Sequence, residues 1–374
     1  MPDRLYLDHA ATTPMTTAAR TAVADGVARW ANPSSPHAEG RAARAALEAA
    51  RKQIALAYGW RHETILTGGT SEALAIALNR AVAGPRFISA VEHDAVIRAA
   101  PDAAVLGVDP HGLLSPERVS TALDTHGGAD SPPPVFGSSD AEKRSLVCVQ
   151  WANSETGVRQ PIAAIAAVVH EAGGLLLVDA AQMPAGADPD LAEHADFIAL
   201  SSHKRGGPVG IGALLVRDLA MLSPTGGQER GYRPGTENLP GALGYAAALD
   251  EPEDLAKMAE LRAMLDDAIT RSGGEVVAAG AMRHPAIGSY RMIGTGSAAQ
   301  LIRFDLAGIS VSAGSACSSG SMKPSHVLAV MGWSEPASRE VVRVSFGRTT
   351  NAADVARFVQ AWRQTARETR SFAA

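Results

Sequence analysis

Two short apolar runs, each ending at a chemically active residue, constrain this chain more than any other feature. Leu175-Leu176-Leu177-Val178 stops at Asp179, with Ala180-Ala181-Gln182 after it; Phe197-Ile198-Ala199-Leu200 stops at Ser201-Ser202-His203-Lys204. Uninterrupted apolar runs of this length describe parallel strands covered on both faces, with functional groups delivered at their carboxyl ends. One strand end carries an acid and the other a lysine.

That pairing points to a particular chemistry. A lysine at the mouth of a parallel sheet can form a Schiff base, and a carboxylate on a neighbouring strand can keep a pyridine nitrogen protonated so that the ring draws electrons. The cofactor this implies is pyridoxal 5'-phosphate (PLP). Taken singly, an acid such as Asp179 at a strand end is more often a cap or turn residue, and Ser-Ser-His-Lys alone also fits an ordinary exposed loop. The rest of the chain has to decide.

Around these runs the sequence alternates between strand and helix patterns. Helices are expected over about 16–30 and 39–58. Ile65-Leu66-Thr67 is a brief strand, and Gly68-Gly69-Thr70-Ser71-Glu72 then opens a helix through Arg80. Glycines there let the backbone approach a ligand, and free N–H groups at a helix start form an anion site; a plain N-cap is the competing reading. Strand–helix pairs continue to Ile211-Gly212-Ala213-Leu214-Leu215-Val216, which predicts an α/β fold with a mainly parallel, seven-stranded sheet and helices on both faces. Residues 124–144, rich in Gly, Pro and Ser, lose all periodicity and are expected to form an exposed excursion. At 374 residues the chain exceeds one usual core. The expected division is a large PLP-binding domain over 15–250 and a smaller α+β domain from 1–14 and 251–374.

Composition excludes several function classes. A net charge of −5 without a long basic run argues against nucleic acid or an anionic membrane as the main partner. Two cysteines, Cys148 and Cys317, cannot build a disulfide framework and suit a reducing compartment. With no apolar signal core at the N-terminus and no run long enough to span a bilayer, a cytoplasmic location is expected. No metal site is expected.

In order along the chain stand Tyr6-Leu7-Asp8-His9-Ala10-Ala11-Thr12-Thr13-Pro14, Asn32-Pro33-Ser34-Ser35, Thr67-Gly68-Gly69-Thr70, Glu92-His93, Val178-Asp179-Ala180-Ala181-Gln182, Ser201-Ser202-His203-Lys204, Arg233-Pro234-Gly235-Thr236, Gly314-Ser315-Ala316-Cys317 and Arg343-Val344-Ser345-Phe346-Gly347-Arg348. With these nine motifs the chain resembles the cysteine desulfurases of the NifS/IscS type, in the class V aminotransferase group of PLP enzymes with the fold type I architecture.

The resemblance implies roles. Lys204 would hold PLP as a Schiff base and then move the substrate Cα proton; Asp179 would pair with the pyridinium nitrogen and Gln182 with the ring hydroxyl. His93 would stack on the ring and serve as acid or base. Gly69, Thr70, Ser201 and His203 would bind the phosphate, with Thr236 reaching it from the partner subunit of a homodimer. Asn32, Asn153 and Arg343 would bind the substrate, L-cysteine; a bidentate carboxylate clamp is what Arg supplies better than Lys. Arg348, the second arginine of its motif, has a less definite role. Cys317, in a run of small residues, would take the substrate's sulfur as a persulfide and pass it to an acceptor protein, while Cys148 reads as a small buried hydrophobe.

The chain departs from the family pattern in places. Ser154 stands where an asparagine usually touches the ring hydroxyl, Ser71-Glu72 replaces the usual Thr-Glu order, and Arg205 follows the lysine where a bulky apolar or aromatic residue is common. Other readings are a related PLP lyase or aminotransferase acting on another amino acid, and a non-catalytic scaffold of the same fold.

Overall fold

The computed structural model describes residues 4–127, 144–314 and 324–372. Cys317 and residues 128–143 lie outside the described residues. A seven-stranded sheet runs in the order Glu63–Thr67, Gly212–Val216, Phe197–Ser201, Leu175–Asp179, Leu146–Gln150, Arg86–Ser89, Ala104–Leu106. Gly212–Val216 is antiparallel to both its neighbours, and every other pairing is parallel. The mainly parallel sheet read from the sequence is therefore present.

The continuous apolar runs have a direct cause. Leu176, Val178, Ile198 and Leu200 pack on one face, against helices that include Ala38–Ala57, Ile162–Glu171 and Leu239–Leu249. Leu175, Leu177, Phe197 and Ala199 pack on the other, against Thr70–Arg80 and Asp94–Ala99. With both faces covered, the period-two alternation of a half-exposed strand has nothing to select it.

A second body of structure has its own core. The antiparallel strands Val341–Ser345, Ile287–Arg291 and Glu275–Val276 pack with the helices Leu255–Arg271 and Ala352–Phe372 around Tyr290, Phe304, Phe358 and Trp362. The N-terminal strand Leu5–Tyr6 joins it by pairing in parallel with Ile309–Ser310.

One boundary needs correction. Residues 124–127, expected to open an exposed excursion, belong instead to the helix Pro116–Gly127. Thr125 sustains that last turn by donating its hydroxyl to the Thr121 carbonyl at 2.8 Å.

Candidate active site

A cavity of about 620 Å³ opens at the carboxyl ends of the parallel strands, where it meets the second body. Its walls include Gly69, Thr70, His93, Asn153, Ser154, Asp179, Gln182, Ser201, His203, Lys204 and Arg343. Those are eleven of the residues singled out from the sequence. Asn32 and Thr236 are exposed and do not line it within one chain.

Asp179 closes its strand at 6% exposure, and its Oδ1 accepts the Ala181 N–H at 3.0 Å, which fixes the carboxylate's rotation. Gln182 donates from Nε2 to the Ala10 carbonyl at 3.0 Å. Lys204 stands in the short 3₁₀ turn His203–Arg205 directly after the strand Phe197–Ser201. The N-terminal segment straps that turn in place: the Thr13 N–H donates to the His203 carbonyl at 2.9 Å and the Thr16 N–H to the Gly206 carbonyl at 2.8 Å. Burial, followed by the Lys204 and Arg205 charges, lowers the His203 pKa to about 4.

The Gly69–Thr70 turn forms one end of the cavity. Gly69 has φ +145°, and a Cβ built there would meet nothing within 4 Å, so the backbone faces open space at the start of the helix Thr70–Arg80. The antiparallel strand supports this turn from below. A Cβ on Gly212 would lie 2.7 Å from the Gly69 Cα and 2.5 Å from the Leu200 carbonyl oxygen.

His93 is both a helix cap and a cavity residue. It caps the helix Asp94–Ala99, its Nδ1 accepting the Ala95 N–H at 3.1 Å, and it lines the cavity. Accepting at Nδ1 puts the proton of the neutral ring on Nε2. Burial, then the Lys204 charge, hold the imidazole below its ordinary pKa.

At the opposite end, Arg343 is 7% exposed, in the strand Val341–Ser345. Its Nη2 donates to Asp8 Oδ1 at 2.7 Å and its Nη1 to the Ser154 carbonyl at 2.8 Å. Asn153 is engaged within its own turn: its Oδ1 accepts the N–H groups of Glu155 and Thr156, each at 2.9 Å, and its Nδ2 donates to the Val91 carbonyl at 3.1 Å. In this arrangement Asn153 shapes the wall.

Among the wall residues given no role from the sequence are Glu92 and His326. Glu92 is fully buried, its Oε1 accepts the Gln150 N–H at 2.8 Å, and burial, then the Asp179 charge, push its pKa well up. His326 has its Nε2 2.9 Å from the Glu92 carbonyl oxygen. A helix-start signal was available for His326: Ser325 before an apolar run, capping Leu328 at 3.1 Å. Cys148 is buried in its strand, with its thiol pKa raised chiefly by burial.

These residues fit PLP. Thr70 Oγ1 and Gln182 Oε1 are buried with no hydrogen-bond partner among the described residues, at the phosphate and ring positions respectively in the resemblance-based assignment. The Gly69 cradle is open, and an acid and a lysine end strands paired with each other.

The aminotransferase class-V family model matches residues 5–358, and the chain belongs to that family. The cysteine desulfurase of Gluconacetobacter diazotrophicus is 35% identical, across 94% of this chain and 91% of that relative. The NifS-like protein from Rickettsia africae aligns with a TM-score of 0.84 at 28% identity, covering 97% of this chain and 99% of that one. SspA in complex with cysteine aligns with a TM-score of 0.75 at 27% identity, covering 93% and 100%. Within the class-V family, the chain is a member of the NifS/IscS-type cysteine desulfurases.

Proposed function

We propose that the protein is a PLP-dependent cysteine desulfurase that converts L-cysteine to L-alanine and passes the sulfur to Cys317. The observation that carries this reading is the shared cavity, in which a lysine, a buried carboxylate and a buried arginine meet. Bound there, PLP supplies an electron sink for the substrate's Cα. Asp179 keeps the pyridine nitrogen protonated, and Gln182 and Ser154 reach the ring hydroxyl. Gly69, Thr70, Ser201, His203 and the partner subunit's Thr236 hold the phosphate. The exposure of Thr236 within one chain supports a homodimeric arrangement.

Lys204 anchors the cofactor and afterwards moves the Cα proton. His93 lies against the ring and exchanges a second proton; its lowered pKa leaves it a neutral base near pH 7. Arg343 clamps the substrate carboxylate, with Asn32 and Asn153 flanking it. The Cys317 thiolate attacks the substrate sulfur: an S–S bond forms, the C–S bond breaks, and Cβ takes a proton to complete alanine. The reading extends to a cytoplasmic homodimer that hands sulfur to an acceptor protein for iron–sulfur cluster, thio-cofactor or tRNA biosynthesis. Two separate apolar cores support a cofactor domain over 15–250 and a second domain from 1–14 and 251–374.

The test is a paired assay of wild type and Cys317→Ala. Expected are a visible PLP band in both, with alanine and sulfide released from L-cysteine in the presence of reductant by wild type alone. Equal sulfide release from the variant would remove Cys317 as carrier and favour a related PLP lyase. No band in wild type would favour a non-catalytic scaffold.

A further inference from the structure

The turn that holds Lys204 carries a further cation, a buried one, that the reaction does not use. Arg205 is 4% exposed and donates from Nη1 to Glu253 Oε1 at 2.9 Å. The same oxygen lies 3.4 Å from Arg348 Nη2, and the Arg348 Nε donates to the Glu251 carbonyl at 3.0 Å. Arg205 ends the lysine's turn, Glu253 leads into the helix Leu255–Arg271, and Arg348 follows the strand Val341–Ser345. Three separate parts of the chain therefore meet on one carboxylate. The packing is close: a Cβ on Gly206 would lie 3.1 Å from Arg348 Nη1. An apolar residue after the lysine would need no counter-charge; a buried arginine does.

We propose that Arg205 is a positioning residue: paired through Glu253, it fixes the Lys204 turn to the segment entering the helix Leu255–Arg271 and sets the charge felt at the Lys204 nitrogen. The inference rests on the reading of Lys204 as the cofactor lysine.

The Glu253 carboxylate faces both guanidiniums, and the Glu251 charge also acts on Arg348. The Lys204 charge acts on His93 and His203, and Lys204 shares the cavity wall with Asp179. Around Arg205 lie the hydroxyls of Tyr58 and Tyr245, both with pKa raised chiefly by burial, and the rings of His9 and His284. Burial above all lowers His9 and His203 to about 4 and His284 to about 3, with Arg205 adding to each. These three rings stay neutral from about pH 6 to 9, so they do not mask a titration of the Lys204 nitrogen in that window.

The experiment titrates the visible cofactor band of the holoenzyme against pH in wild type, Arg205→Met, Glu253→Gln and the double variant. Arg205→Met removes a positive charge and is expected to raise the midpoint by about half a unit or more; Glu253→Gln removes a negative charge and lowers it by a similar amount. The double variant restores the wild-type net charge and midpoint. A purely structural role would lower stability without opposed shifts. Unmoved midpoints, or shifts of the same sign, overturn the inference while leaving the cofactor reading intact; a wild type without the band overturns both. Should either single variant fail to fold, the double variant is expected to fold and titrate like wild type, and its failure to do so overturns the pairing.

Discussion

At one end of the cavity the Thr70 hydroxyl and the Gln182 amide oxygen are buried with no partner among the described residues, while at the other the Arg343 guanidinium already holds Asp8 and the Ser154 carbonyl through its two Nη atoms and only its Nε lacks one. The energetic meaning differs. A buried polar group left unpaired costs about 1–3 kcal/mol, so an occupant at the Thr70 end relieves a standing penalty. At the Arg343 end an incoming carboxylate exchanges at Nη2 with one already present, and only the Nε donor is newly satisfied. The first end suits a resident group and the second a substrate that must leave after every turnover.

The largest effect that could break this contrast is at the clamp. Arg343→Lys loses the forked pairing and is expected to raise KM for L-cysteine by about 10- to 100-fold, with the cofactor band unchanged. Loss of the band as well would mean that the two ends do not act separately. At the other end, Thr70→Val is expected to weaken PLP binding about 10-fold while leaving the melting temperature of the cofactor-free protein equal or higher, because it removes an unsatisfied hydroxyl. Equilibrium dialysis and thermal melts together test those opposed signs.

A smaller effect sharpens the exchange argument. Asp8→Asn removes the resident counter-ion from Arg343, and KM should fall by about 2- to 5-fold. A rise would show that Asp8 orients the arginine more than it competes for it.

The smallest effect is a pH slope. His203 has a folded pKa of about 4, below the ordinary 6.5, so its contribution to stability is whole above about pH 6.5 and is lost as pH falls through 4. A phosphate beside the ring raises the folded pKa and shrinks that loss. The melting temperature of cofactor-free protein should therefore fall more steeply from about pH 7 to 5 than that of loaded protein. Equal slopes would remove His203 from the phosphate site.

The sheet and the strand ends that line the cavity were legible in the sequence because both are local. Asp179 and Lys204 end apolar runs that only a doubly covered strand explains, and the Gly69–Thr70 turn announces itself by composition. What escaped is long-range. Asp8 and Arg343 lie 335 residues apart, and Arg205 meets Glu253 across 48. No periodic pattern records such pairs. His93 shows the opposite limit, since the bland reading as a cap and the chemical reading as a site residue apply to the same ring, one through Nδ1 and the other through its position in the cavity.

The close approach beneath Gly69 has a consequence for inheritance. Gly212 lies on the antiparallel strand and does not line the cavity, yet any side chain there would collide with the backbone of the turn above it. Under the proposed reading, selection for an intact Gly69–Thr70 turn therefore acts on a position outside the cavity. Among descendants of this chain, drift at Gly212 should be tolerated only where the cradle has already fallen out of use.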